Sequence, residues 1–84
     1  MKYTVLLSRQ AERFYKKLQE NVKLQVRESL IVLEGQPHAG KRLHGDLKEN
    51  YSMRVGKLRI IYTISEKDKL VYIVAIGSRK TIYH

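Results

Sequence analysis

Hydrophobic and polar residues follow two different periods along this chain, and the change of period separates a helical front from a β-prone back. Residues 1–7 are mostly apolar and β-prone, which predicts a first strand. Ser8 is a good N-cap residue. Behind it, apolar side chains recur at the spacing of one helix face: Ala11, Phe14, Tyr15 and Leu18. This spacing predicts an amphipathic helix directly after the first strand.

A second helix is predicted after Asn21, which can end the first helix and cap the next. Its apolar face would carry side chains at positions 22, 26, 30 and 33. Gly35 and then Pro37 stop it, because glycine favours a helix C-terminus and proline cannot continue a helix. Two helices joined by about two residues form an antiparallel helical hairpin.

The rest of the chain predicts a loop over residues 36–50 and then three strands, over residues 51–55, 58–65 and 70–76. Gly56-Lys57 is expected to form a tight turn, and residues 66–69 a charged turn. The fold predicted for the single domain 1–84 is therefore α+β, in the order β-α-α-β-β-β, with the helical hairpin on one face of a small, mainly antiparallel sheet. The expected core positions are Leu18, Val26, Leu30, Ile60, Tyr62, Ile73 and Ala75.

The predicted register of the first hairpin places two arginines face to face. With a two-residue turn after Val55, Arg54 lies opposite Arg59. Like charges at that position repel and destabilise a hairpin, whereas two guanidinium groups can hold a phosphate between them. The alternatives are that Asp46 or Glu49 neutralises the pair, or that a β-bulge separates it.

The charge of the chain is strongly positive, at +9, and the excess lies mainly in residues 36–84, which hold ten basic and four acidic residues. A basic surface favours a polyanionic partner such as nucleic acid, although it can also serve solubility alone. The chain has no cysteine, and its histidines lack metal-ligand spacing. We therefore expect no cofactor, no metal site and no membrane span in a cytoplasmic protein.

Three segments resemble the RelE/ParE toxin superfamily: RLHG at 42–45, YSMRVGKLRIIY at 51–62 and IGSRKTIY at 76–83. The helical hairpin before them is similar too, so the resemblance covers the whole chain. RelE-like members cleave messenger RNA in the ribosomal A site without a metal, and ParE-like members poison DNA gyrase. For a RelE-like enzyme, the resemblance implies catalytic roles for Arg54, Arg59, Arg79 and Tyr83.

Further contacts to RNA phosphates are expected from Lys41, Arg42, Lys48, Ser52, Lys57 and Lys80. Position 52 departs from the pattern, because some RelE proteins carry a lysine where this chain has Ser52. The general base is therefore open, with Lys48 or Lys57 as substitutes. A four-residue turn at 66–69 would place Arg79 on the helix side of the sheet. The last strand must therefore bulge or bend if Arg79 is to join Arg54 and Arg59.

The resemblance implies the function of a type II toxin, a ribosome-dependent mRNA endonuclease paired with a cognate antitoxin. Its partners would be the ribosome with its mRNA and an acidic, amphipathic antitoxin segment that folds on binding. One alternative is a ParE-like gyrase inhibitor without catalysis. Another is a degenerate member that binds only its antitoxin.

Overall fold

The computed structural model describes residues 2–43 and 49–78, and within them two helices pack on one face of a mixed sheet. The helices are α1, Arg9–Lys16, and α2, Glu20–Gly35; a short 3₁₀ helix, Pro37–Ala39, follows them. The strands are β1, Thr4–Leu7; β2, Lys41–Arg42; β3, Tyr51–Val55; β4, Leu58–Ser65; and β5, Leu70–Ser78. The predicted α+β class is confirmed, since the helices precede a meander of consecutive strands.

The strands of the described residues lie in the order β1-β5-β4-β3-β2. The pairs β2–β3, β3–β4 and β4–β5 are antiparallel, and β1 joins the free side of β5 in parallel. Residues 36–50 were predicted to form a loop, and this is wrong for the 3₁₀ helix and for β2. The short β2 pairs with β3, and in this pairing Lys41 lies opposite Ser52 and Arg42 opposite Tyr51.

The helix boundaries differ from the prediction at one point. Ser8 caps α1 as expected, since its side-chain oxygen accepts a hydrogen bond from the backbone N–H of Ala11. Asn21 was expected to lie between the helices, but α1 already ends at Lys16, and Gln19 is the N-cap of α2 without a side-chain hydrogen bond. Asn21 therefore lies in the first turn of α2, where its low helix propensity costs only a few tenths of a kcal/mol.

The hydrophobic core lies between the helices and the sheet. Its fully buried side chains are Ala11, Val26 and Leu33 from the helices and Ile60, Tyr62, Val71, Ile73 and Ile76 from the sheet. Burying a valine, leucine or isoleucine side chain contributes about 1.5–3 kcal/mol to stability. Of the predicted core, Val26, Ile60, Tyr62 and Ile73 are fully buried, and Leu18 and Leu30 are partly buried against this cluster. The prediction for Ala75 is wrong.

A bulge in β5 explains the error at Ala75. Tyr62 lies opposite Ile73, but the next residue of β4, Ile61, lies opposite Ala75, so Val74 is the extra residue. Because side chains alternate between faces, one extra residue moves every later side chain of β5 to the other face. Ile76 consequently enters the core in place of Ala75.

Candidate functional site: a basic cavity on the outer face of the hairpin

Arg54 and Arg59 lie directly opposite each other on β3 and β4, on the sheet face away from the helices. The register is the one that a two-residue turn predicts, with Val55 opposite Leu58 and no bulge in this pair of strands. Gly56 has a φ of 60°, a left-handed conformation that glycine adopts without steric cost. The turn therefore fixes both the register and the meeting of the two arginines.

A buried hydroxyl orients Arg59. Its Nη1 donates a hydrogen bond of 3.1 Å to Ser52 Oγ, and Ser52 is only 3% exposed. The Arg59 Nε is buried and has no hydrogen-bond partner within the described residues. A buried donor without a partner is costly, and at a functional site it is a sign of a missing ligand or ion. The hydrogen bond thus orients the guanidinium, and no carboxylate among the described residues pairs with its charge.

Arg54 is exposed, and its Nε donates a long hydrogen bond of 3.4 Å to the carbonyl oxygen of Gly56. The ion pairs among the described residues are Lys16–Glu12, Lys23–Glu20 and His38–Glu66, so neither arginine of the hairpin takes part in one. Of the two carboxylates considered as neutralisers, Glu49 lines a different cavity, together with Arg42, and Asp46 lies outside the described residues. The two cations therefore face each other without a described counter-ion.

The arginines line an open cavity of about 360 Å³. Lys41 adds a third cation to it, because β2 pairs with β3 and Lys41 lies opposite Ser52. The lining residues within the described ranges are Ala39, Gly40, Lys41, Ser52, Met53, Arg54 and Arg59. A cavity with three cations, one hydroxyl and no carboxylate among these residues suits an anion such as a phosphate.

Tyr62 holds the wall of this cavity in place. Its hydroxyl donates to the carbonyl oxygen of Pro37 at 2.9 Å and accepts from the backbone N–H of Gly40, also at 2.9 Å. A Cβ atom at Gly40 would come within 2.5 Å of Tyr62 Oη and 2.7 Å of the Ser52 carbonyl oxygen, so only glycine fits there. Burial raises the pKa of Tyr62, which keeps the phenol protonated and able to donate.

The remaining candidate residues lie elsewhere. Arg42 pairs with Tyr51 and lines a second cavity with His38, Glu49 and Glu66. Lys57 lies in the hairpin turn, beside the junction of the two helices. Four candidates lie outside the described residues: Lys48, Arg79, Lys80 and Tyr83.

The bulge that was required before Arg79 is present, at Val74. Beyond it, Gly77 lies opposite Arg59, so β5 presents its odd-numbered positions on the face of the arginine pair. The hydroxyl of Tyr62 and the close approach at Gly40 were not anticipated from the sequence. Their partners lie 12 to 25 residues away in the chain, and no local pattern signals such a contact.

Two further findings concern the described residues. No group of three or more His, Asp or Glu side chains among them could hold a metal ion. None of their helices is long and apolar enough to cross a membrane.

Comparison with known proteins first defines the class of fold. The M. tuberculosis RelBE2 toxin–antitoxin complex contains a chain that matches with a TM-score of 0.85 and 30% identity, over 94% of this chain and all of that one. The archaeal RelE–RelB complex of Pyrococcus horikoshii matches with a TM-score of 0.79 and 26% identity, over 96% and 99%. The intact E. coli RelBE complex matches at 0.79 with 17% identity, over 90% and 95%, and supports the fold alone. The fold is that of the RelE toxins.

The family follows from the sequence. The family described as the ParE toxin of the type II toxin–antitoxin system parDE matches residues 2–83. The chain therefore belongs to the RelE/ParE superfamily and is a toxin of the type II class. No curated protein sequence matches it significantly.

Proposed function

We propose that this toxin is a ribosome-dependent endoribonuclease that cleaves messenger RNA in the A site, in the cytoplasm. The observation that carries the proposal is the Arg54–Arg59 pair, which lines a cavity together with Lys41 and Ser52. The pair costs stability through repulsion, and a fold without a need for an anion site gains nothing from it.

The chemistry needs only general acid–base and electrostatic catalysis. The ribose 2′-oxygen forms a bond to its adjacent phosphorus, the bond from phosphorus to the 5′-oxygen breaks, and the proton of the 2′-hydroxyl goes to a base. Negative charge builds up on the phosphate oxygens in the transition state. In this proposal Arg54 and Arg59 stabilise it, since fixed cations aimed at such charge lower the barrier strongly. The ribosome supplies the bend in the mRNA that aligns the attacking oxygen.

Ser52 acts in this proposal by orienting Arg59, not as the base. Its hydroxyl is buried and already accepts from Arg59 Nη1. Lys41, opposite Ser52, supplies the cation that some relatives place at position 52. Of the two lysines suggested as substitutes, Lys57 lies away from the cavity, and Lys48 lies outside the described residues.

Arg79 and Tyr83 complete the proposed site. Arg79 stabilises the departing 5′-oxygen, and Tyr83 stacks on a base or accepts the 2′ proton. A free tyrosine has a pKa of about 10, and neighbouring cations favour its phenolate. Support for Arg79 comes from the bulge, since Gly77, two residues earlier, lies opposite Arg59.

The toxin is proposed to be held inactive by a cognate antitoxin. The matched structures from M. tuberculosis and P. horikoshii are toxin–antitoxin complexes, which supports such a partner. An acidic segment that covers the cavity of Arg54 and Arg59 would neutralise their charge. Its affinity should fall as salt rises, because part of the attraction is electrostatic.

The test is cleavage of a defined mRNA on purified ribosomes with the A site empty. We expect in-frame cuts with the wild type, and a loss of at least a hundredfold in rate for Arg59→Gln. Arg27→Gln, which removes an exposed cation of α2, is the matched control and should cleave at the wild-type rate. Intact mRNA, together with gyrase-dependent double-strand breaks in DNA, would overturn the proposal in favour of a gyrase inhibitor.

A further inference from the structure

A second basic surface lies on α1, on the side of the sheet away from Arg54 and Arg59. Arg9, Arg13 and Lys17 follow one another at intervals of four residues and are all exposed. Four residues of an α-helix rise by about 6 Å, so the three side chains form a regular row along one side of the helix. We call this row the α1 stripe.

The cations of the α1 stripe have no acidic partner among the described residues. Neighbouring Lys16 forms an ion pair with Glu12 at 3.1 Å, but none of the three does so within the described residues. They line a cavity of about 330 Å³ with Gln10 and Phe14, and no carboxylate is among the described lining residues. Unpaired cations along a concave surface attract a polyanion.

Hydrogen bonds from Gln10 attach this surface to strand β5. The Gln10 amide donates to the Ile76 carbonyl oxygen at 3.0 Å and accepts from the Ile76 N–H at 3.1 Å. Ala11, the next residue, is fully buried in the core. α1 is therefore held to β5 at this point, and the stripe presents its cations from a fixed backbone. Such preorganisation lowers the entropic cost of binding.

The α1 stripe also continues toward the proposed catalytic cavity. Lys17 lines a neighbouring cavity together with Gly56 and Lys57 of the hairpin turn. On the other side of that turn, Arg54 donates to the Gly56 carbonyl oxygen. Basic side chains thus follow one path from α1 around the hairpin to the arginine pair.

We propose that the α1 stripe binds the phosphate backbone of structured ribosomal RNA and docks the toxin while the opposite face works on the mRNA. This inference rests on the proposed ribosomal function. A regular row of exposed cations, with no carboxylate among the described lining residues, matches the repeating charges of a nucleic-acid backbone. An amphipathic antitoxin segment would need apolar surface. The exposed large apolar side chains of the described residues lie elsewhere, at Leu6, Leu24, Ile31, Val32, Tyr72 and Val74.

The test compares two triple variants that remove three charges each. Arg9→Gln/Arg13→Gln/Lys17→Gln removes the stripe. Lys2→Gln/Arg27→Gln/Lys67→Gln removes exposed cations from other surfaces. Binding to programmed 70S ribosomes is measured across a range of salt, and cleavage across a range of ribosome concentrations.

The slope of log K against log salt should become shallower by about two for the stripe variant, since each lost phosphate contact changes it by about 0.7–0.9. Its half-saturating ribosome concentration should rise by about tenfold or more, with an unchanged cleavage rate at saturation. Melting curves for both variants establish that they are folded. Equal slopes and equal half-saturation for the two triples would overturn the inference.

Poly-L-glutamate serves as the acidic-protein probe. If the stripe variant loses affinity for poly-L-glutamate more than the control does, but keeps its affinity for ribosomes, the stripe is a protein-binding surface and the inference is wrong. A failure of the proposed function gives a different result, since the wild type would then cleave no mRNA at any ribosome concentration. The salt slopes of the two triples still decide the role of the stripe in that case.

Discussion

The side-chain hydroxyl of Ser8 donates a hydrogen bond of 2.7 Å to the carbonyl oxygen of Val74, the residue at which β5 bulges. The same hydroxyl oxygen accepts the N–H of Ala11 and so caps α1. One side chain therefore links the start of the first helix to the bulge in β5. This bulge determines on which face of the sheet the later side chains of β5 lie. Gln10 continues this link through its two bonds to Ile76.

We expect Ser8→Ala to lower the free energy of unfolding by about 1 kcal/mol, the usual cost of removing an N-cap. The bulge should loosen as well, because the carbonyl oxygen of Val74 loses its partner. Thermal melting measures the first effect, and faster hydrogen exchange of the Ile76 amide measures the second. Ser29→Ala is the control, since its hydroxyl donates to the Gln25 carbonyl oxygen within the same helix, α2. An unchanged Ile76 amide in Ser8→Ala would contradict this role.

The arginine pair should separate activity from stability. Arg54→Gln and Arg59→Gln relieve a cross-strand repulsion of about a few tenths to one kcal/mol. Arg59→Gln also removes a buried Nε that lacks a described partner. Melting temperatures should therefore stay level or rise while mRNA cleavage and growth arrest collapse. A variant that melts several degrees lower and still cleaves normally would refute the site.

Tyr62→Phe should destabilise the wall of the basic cavity. The change leaves the Gly40 N–H and the Pro37 carbonyl oxygen without their partner, at a cost of about 1–3 kcal/mol for such buried groups. Tyr72→Phe is the matched control, because Tyr72 is 40% exposed, and it should lie within about 0.5 kcal/mol of the wild type. Chemical denaturation of both variants measures the difference. Equal stabilities would show that Tyr62 acts through its ring alone.

Glu66 should make stability depend on pH. The Tyr3 hydroxyl donates to its carboxylate, and His38 Nε2 lies 2.8 Å from it. These contacts, that of Tyr3 first, lower the pKa of Glu66 below 4.5, and the bond to Glu66 raises the pKa of Tyr3 above 10.0. Because the pKa of Glu66 is lower in the folded protein than in the unfolded chain, its contribution to stability is present above the unfolded pKa and is lost as the pH falls through the folded pKa. Because the pKa of Tyr3 is higher in the folded protein, its contribution is present below the unfolded pKa and is lost as the pH rises through the folded pKa.

The melting temperature of the wild type should therefore exceed that of Glu66→Gln most between about pH 5 and pH 9. The difference should shrink below about pH 4 as Glu66 protonates, and above about pH 10 as Tyr3 ionises. Glu28→Gln, on the exposed side of α2, should show no such profile. If the difference in melting temperature stayed constant from acid to base, the contacts of Glu66 with Tyr3 and His38 would not be its cause.

Local pattern was enough to predict the hairpin. Gly56 at a tight turn, with alternating residues on either side, fixes the pairing of Arg54 with Arg59, and the structure has this register. Binary alternation also placed Ile60 and Tyr62 in the core. These features depend on residues within a few positions of each other, so the sequence carries them directly.

The features that could not be predicted depend on distant partners. Ala75 was placed in the core because alternation was extended through β5, whereas the bulge at Val74 is bonded to Ser8, 66 residues away. β2 and the fit of Gly40 likewise depend on Ser52 and Tyr62 across the sheet. The roles of Arg79 and Tyr83 stay predictions, because both lie outside the described residues.

The extra residue at Val74 has a consequence for sequence alignment. Within β5, Ile73 and Ile76 are three positions apart yet share the core face, so two phases of alternation meet inside one strand. A homologue without the bulge would have one residue fewer between its first core position and its last basic residues. Aligning the two without a gap would set core positions against solvent-facing ones from there to Ser78, the last residue of β5. A one-residue gap at position 74 is therefore a structural marker for deciding which homologues share the alternation of side chains over residues 75–78 of β5.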